Sequence, residues 1–90
     1  SNREQGGAGL RECSAEEFAL LGELNARYQQ RFGFPYILAV RGHDRSSIIG
    51  DLQTRVERTR EVEFVEALRQ IERIAALRLA DLLDSHVPAA

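Results

Sequence analysis

Ser14-Ala-Glu-Glu-Phe-Ala-Leu-Leu-Gly-Glu-Leu-Asn-Ala-Arg-Tyr-Gln-Gln-Arg-Phe-Gly-Phe-Pro35 is the stretch whose reading decides the fold class. Its first four residues form a capping box, in which the Ser14 hydroxyl takes an orphan backbone N–H of the first turn and Glu17 reaches back to the cap. Phe18, Leu21, Leu24, Tyr28 and Phe32 then recur at steps of three and four, the spacing of one apolar helix face. Gly33 stands where a glycine ends a helix, and Pro35 prevents its resumption. The spacing predicts a helix near 15–32.

The same logic extends in both directions. Tyr36-Ile-Leu-Ala-Val40 is a continuous apolar run between Pro35 and Gly42. Its composition suits a buried strand, yet nothing else in the chain offers a pairing partner, so an extended, buried connector is expected. A second helix is expected from about Ser46 to Arg58, capped by Asp44 or Ser46, with Ile49, Leu52 and Val56 as its inner stripe. A third is expected from about Arg60 to Asp84, with Thr59 as N-cap and Glu61 and Glu63 in its first turns, where acids favour the helix dipole. Upstream, Ser1-Asn-Arg-Glu4 fits a second capping box and suggests a short helix over residues 2–9, cut by Gly6, Gly7 and Gly9. The fold class is all-α, a helical bundle in one domain over residues 1–90.

Composition narrows the function classes. A chain of 90 residues buries only about 60–65% of the surface its unfolded form exposes, which leaves little margin for stability. An apolar fraction of 43% and a charged fraction of 29% suit a globular protein rather than a disordered one. No apolar run approaches the roughly 18 residues of a membrane-spanning helix, so no membrane partner is expected. Twelve arginines stand against fourteen acids, a net charge of −2, and nucleic acid is not expected either. The single cysteine, Cys13, excludes an intrachain disulfide, and no Cys/His spacing suits a metal. Lysine is absent, as GC-rich coding produces. The first residues lack the basic and apolar regions of a signal peptide, and the last residues do not match a peroxisomal Ser-Lys-Leu ending, so a cytoplasmic location is expected.

The third helix carries one anomaly. At about 100° per residue, Phe64, Ala67, Leu68, Ile71, Ile74, Ala75, Leu79 and Leu82 share one arc, and Arg78 falls near its centre. A guanidinium there is costly to desolvate unless paired. It reads either as a structural ion pair or snorkelling side chain, or as an anion-binding arginine whose planar fork suits carboxylate and ureido groups. Arg69 and Arg73 point to solvent. Glu4 beside Gln5 reads as a capping residue, and the glycines after them have no preceding strand and are not a phosphate loop. His43 and His86 lack triad-like neighbours and read as surface histidines. Cys13 reads as a passive thiol. Asp44, Arg45, Glu61 and Glu63 read as solvated charges.

Three motifs add a family resemblance. Leu24-Asn-Ala-Arg-Tyr28-Gln-Gln-Arg-Phe32-Gly-Phe-Pro-Tyr-Ile-Leu-Ala-Val-Arg-Gly42 resembles a hallmark of the 2-oxo-4-hydroxy-4-carboxy-5-ureidoimidazoline (OHCU) decarboxylases. Ser1-Asn-Arg-Glu4-Gln5 is similar to that family's Ser-x-x-Glu-Gln, and Ala76-Leu-Arg78-Leu-Ala-Asp-Leu-Leu to its C-terminal Arg-Leu helix. The resemblance implies a cofactor-free, all-helical enzyme of urate breakdown that converts OHCU to (S)-allantoin, often as a homodimer. On this chain it implies that Glu4 and Gln5 orient the substrate, with Ser1, Asn2 and Arg3 at the pocket edge. Tyr36, Ile37, Leu38, Ala39 and Val40 would offer backbone N–H and C=O groups, and Arg78 would meet the substrate's negative charge, with Glu4 and Arg78 the catalytic pair.

In the family the proton donor is a histidine in a His-Pro pair upstream of Ser-x-x-Glu-Gln, a position that neither His43 nor His86 matches. The resemblance therefore covers the C-terminal portion of such a domain, without its N-terminal helices, and the 90 residues alone are expected to be inactive and to expose apolar surface. The competing expectation is a non-enzymatic helical module that self-associates through the apolar face of its third helix.

Overall fold

The computed structural model of the chain describes residues 14–86. Ser1, Asn2, Arg3, Glu4, Gln5 and Cys13, with the helix expected over residues 2–9, lie outside the described residues.

Helix α1 spans Ala15–Phe32. Both halves of its capping box are formed: Glu17 N–H donates to Ser14 Oγ at 3.1 Å, and Ser14 N–H donates to Glu17 Oε1 at 2.9 Å. That backbone hydrogen bond from Ser14 holds the Glu17 carboxyl below the usual range. The helix ends at Gly33, whose φ of 81° is left-handed and whose N–H reaches Gln29 O, as expected for a glycine stop.

Helix α2 spans Arg45–Arg55. Asp44, not Ser46, is its cap: Ser47 N–H donates to Asp44 Oδ1 and Asp44 N–H to Ser47 Oγ, each at 2.9 Å. It stops short of the expected Arg58 because the chain tightens there. Glu57 N–H bonds Thr54 O at 3.2 Å and Arg58 N–H bonds Arg55 O at 3.1 Å, a three-residue spacing that swings the chain into the next helix. Helix α3 spans Arg60–His86, with Thr59 Oγ1 accepting from Val62 N–H at 3.2 Å.

The core is small. Leu24, Tyr28 and Phe32 of α1 pack against Ile49, Leu52 and Val56, the last just beyond α2, with Phe34 and Tyr36 closing over them. Full burial of such a side chain contributes about 1.5–3 kcal/mol. Tyr28 makes edge contacts with Phe32, Tyr36 and Phe34, their ring centroids 4.6, 5.4 and 6.1 Å away.

An ion-pair network lies beneath these rings. Arg55 Nε donates to Glu63 Oε1 at 2.8 Å, and the two side chains are 1% and 0% exposed. The Tyr28 hydroxyl donates to the same carboxylate oxygen, and Arg58 Nη1 to the other at 3.3 Å. Arg55 Nη1 donates to Ile37 O at 2.8 Å. Its guanidinium lies 4.7 Å from the Tyr36 ring centroid, while Nη2 is buried with no hydrogen-bond partner among the described residues. Burial alone would lower the Arg55 pKa, but the hydrogen bond and charge of Glu63 outweigh it and raise it. Glu63 is thus an internal anchor rather than the solvated helix-end charge expected above.

This anchor rotates α3 relative to expectation. The face turned to the rest of the chain carries Glu63, Ala67, Gln70, Ile74 and Leu77, buried or half-buried. Only the Ala67–Ile74 edge of the expected apolar arc is covered. Phe64, Leu68, Ile71, Leu79 and Leu82 are 47–57% exposed. Arg78, expected near the centre of a buried arc, is exposed. The molecule measures 50 × 40 × 15 Å, little more than one helix thick, and among the described residues no second layer covers that side.

Removing one partner of a buried ion pair leaves the other charge desolvated. Glu63→Ala is therefore expected to destabilise the fold by about 3–5 kcal/mol, against about 1 kcal/mol for the exposed cap change Ser14→Ala. Urea unfolding midpoints of the two variants compare them directly; similar small shifts would contradict the anchoring role.

Candidate functional site

The connector expected after Pro35 carries no regular secondary structure. Tyr36, Leu38 and Val40 all border one apolar cavity of about 430 Å³ against α1 and α2, the every-second-residue pattern of extended backbone. The connector is fastened at two backbone atoms. Ile37 O accepts from Arg55, and Ala39 N–H donates to Gln70 Oε1 at 2.9 Å. Gln70 in turn donates through Nε2 to Glu66 Oε2 at 2.7 Å.

On its other side the connector borders a second cleft, of about 510 Å³. Leu38, Ala39 and Val40 form one wall, Ile74 and Leu77 of α3 the opposite wall. Arg78 stands at the α3 edge, and the Arg41–His43 turn closes the rim. Gly42 adopts a φ of 87° in that turn, and His43 N–H bonds Val40 O at 2.9 Å. Arg41 reaches across to Asp81 on α3, Nη2 to Oδ2 at 2.6 Å, tying rim to helix. This pair is more than half exposed and adds little stability of its own. His43 is half-buried, its Nδ1 3.0 Å from Ser47 Oγ.

Among the described residues no carboxylate lines this cleft and none pairs with Arg78. The arrangement offers an unneutralised guanidinium, an imidazole and main-chain polar groups over an apolar floor. It suits a small planar anion with carbonyl and N–H groups. No group of three or more His, Cys, Asp or Glu among the described residues could hold a metal ion, and no helix there is long and apolar enough to cross a membrane.

The profile of the OHCU decarboxylase family matches residues 1–80. The chain belongs to the OHCU decarboxylase family. Among curated relatives of this family, a human protein named putative OHCU decarboxylase is 48% identical over 92% of this chain and 48% of its own length. The mouse OHCU decarboxylase is 42% identical over 96% of this chain and 48% of its own. The crystal structure of an OHCU decarboxylase in the presence of (S)-allantoin superposes with a TM-score of 0.80, at 30% identity, over 93% of this chain and 58% of that one. A crystal structure of (S)-allantoin synthase gives 0.76, at 36% identity, over 81% of this chain and 27% of that one. The chain spans about half the length of the curated relatives it matches.

For the expected OHCU decarboxylase site, the fold brings together Leu38, Ala39, Val40 and Arg78 at one cleft. Two expected positions do not line that cleft. Tyr36 borders the apolar cavity and donates its hydroxyl to Asp51, and Ile37 gives its carbonyl to Arg55. Ser1, Asn2, Arg3, Glu4 and Gln5 lie outside the described residues. Sequence reasoning missed Gln70, Arg55 and the cleft position of His43. Their signal was weak because a lone Gln or Arg on a helix face, or a His after a glycine turn, is ordinary at a surface.

Both tyrosines are held neutral. Burial, then the hydrogen bond and charge of a neighbouring carboxylate, push up the pKa of Tyr28 beside Glu63 and of Tyr36 beside Asp51. A raised folded pKa means the stability is fully present below the unfolded value of about 10 and is lost as pH rises past it. Absorbance at 295 nm is expected to show neither phenol ionising at pH 10, and ionisation above that to coincide with unfolding by circular dichroism. Free titration of either ring near 10 in a folded chain would contradict these contacts.

Proposed function

We propose that this chain is the substrate-binding part of an enzyme that decarboxylates OHCU to (S)-allantoin, with Arg78 as the residue that meets the substrate's negative charge. One observation carries the reading most: Arg78 and the Leu38–Val40 backbone, distant in sequence, border one cleft, and no acid among the described residues neutralises the arginine there. Leu38 to Val40 offer N–H and C=O groups to the ring and ureido functions. Glu4 and Gln5 orient the substrate from the N-terminal motif, with Ser1, Asn2 and Arg3 beside them.

The chemistry asks for these groups. Breaking the C–C bond to the carboxylate releases CO₂ and leaves the electron pair on the ring carbon, conjugated with a carbonyl. Fixed donors and a guanidinium beside that site stabilise the developing charge. A positioned acid then delivers a proton to one face, which fixes the enantiomer. That acid is not assigned to His43 or His86. The reading carries a cytoplasmic location and a homodimer with it.

A second reading is favoured by α3. Phe64, Leu68, Ile71, Leu79 and Leu82 form an exposed apolar face of the kind that marks an interface, and self-association without catalysis would cover it.

Arg78→Ala separates the two. In the native-length protein it is expected to lower turnover of OHCU by about 10²-fold or more, while the melting temperature stays within the small range of a surface change. Unchanged turnover, or a loss explained by unfolding, would remove the anion-binding role.

A further inference from the structure

We propose that Gln70 is a positioning residue for the ligand-reading backbone, setting the distance between the Leu38–Val40 wall of the cleft and the α3 helix that carries Arg78. The proposal rests on the reading of this cleft as the substrate site.

The geometry is specific. Ala39 is 3% exposed, and its N–H has one partner, Gln70 Oε1, at 2.9 Å. The Gln70 amide cannot turn over without losing a second bond, because Nε2 donates to Glu66 Oε2 at 2.7 Å one turn earlier on α3. Gln70 shares its helix face with Ile74 and Leu77 of the opposite cleft wall, and Arg78 follows two turns on. One side chain therefore links the two walls of the cleft at a backbone atom.

The connector's alternation gives this link a consequence. In extended backbone the N–H and C=O of one residue point to the same edge, and those of the next residue to the opposite edge. Arg55 holds Ile37 O and Gln70 holds Ala39 N–H, so one edge is fastened to α2 and α3. Leu38 belongs to the other edge, and no described group takes its N–H or C=O. A donor and an acceptor from one residue, held side by side, suit an amide or ureido group, which presents the complementary pair. Gln70 thus acts on the ligand through the segment it holds and does not touch it. A hydrocarbon side chain of the same size would fill the space but leave Ala39 N–H buried and unpaired.

The test compares three variants of the native-length protein with the wild type, with (S)-allantoin as probe. Gln70→Met keeps the volume and removes the acceptor. Calorimetry is expected to show (S)-allantoin binding about five- to tenfold weaker, the worth of one hydrogen bond. Ala39 amide exchange should accelerate while the Leu24 and Leu52 amides keep their protection. The exchange E66Q/Q70E reverses the roles of the two side chains, so a carboxylate oxygen accepts from Ala39 N–H and an amide donates to it; it should restore both affinity and protection. Ser14→Ala, a stability change remote from the cleft, should leave affinity unchanged. Wild-type affinity in Gln70→Met would overturn the positioning role, as would failure of E66Q/Q70E to recover binding. A wild-type protein that protects Ala39 yet does not bind (S)-allantoin would overturn the functional reading itself, and this role with it.

Discussion

The pair of Arg55 with Glu63 is the constraint on which the rest of the molecule depends. It joins the end of α2 to the first turn of α3 at 2.8 Å, in a site where neither side chain reaches water. Tyr28 of α1 donates to the same carboxylate, and Ile37 of the connector gives its carbonyl to the same guanidinium. Every described segment thus meets at two charged groups. Desolvating them is expensive, and the structure offsets that cost with hydrogen bonds to both carboxylate oxygens and with the faces of Tyr36 and Tyr28 over the guanidinium.

The cleft follows from that anchor. With Ile37 O tied to Arg55, the connector passes between α1–α2 and α3 and leaves a cavity on each side. With Glu63 drawn inward, α3 presents Gln70, Ile74 and Leu77 to the connector and sets Arg78 at the cleft edge. The same rotation turns Phe64, Leu68, Ile71, Leu79 and Leu82 to the surface. Site and exposed face are two outcomes of one orientation.

The elements were legible in the sequence wherever local chemistry specifies them. The Ser14–Glu17 box, the Gly33 stop, Asp44 as one of two cap candidates, and the Leu24, Tyr28 and Phe32 part of the α1 stripe reappear, because a cap needs only its own turn and a stripe only its own period; Phe18, at the start of that stripe, is instead 73% exposed. The family motifs also bring Leu38 to Val40 and Arg78 to one cleft. Less legible was the facing of α3. Hydropathy places its buried side on Phe64, Leu68 and Leu79, whereas the structure buries Glu63 and half-buries Gln70, two residues that any apolar count discounts.

The amino-acid sequence by itself determined three helices, the start and stop of α1 and the start of α3, an unpaired apolar connector and membership of the OHCU decarboxylase family. Each depends on residues close to one another or on motifs readable in order. Only the tertiary structure decided which face of α3 turns inward, that Glu63 is an anchor, and that Gln70 and Arg55 fasten the connector. A buried polar side chain is stable only through its partners, and those partners come from other helices. Arg55, Tyr28 and Ala39 N–H are invisible to periodicity on α3, although they decide how that helix sits.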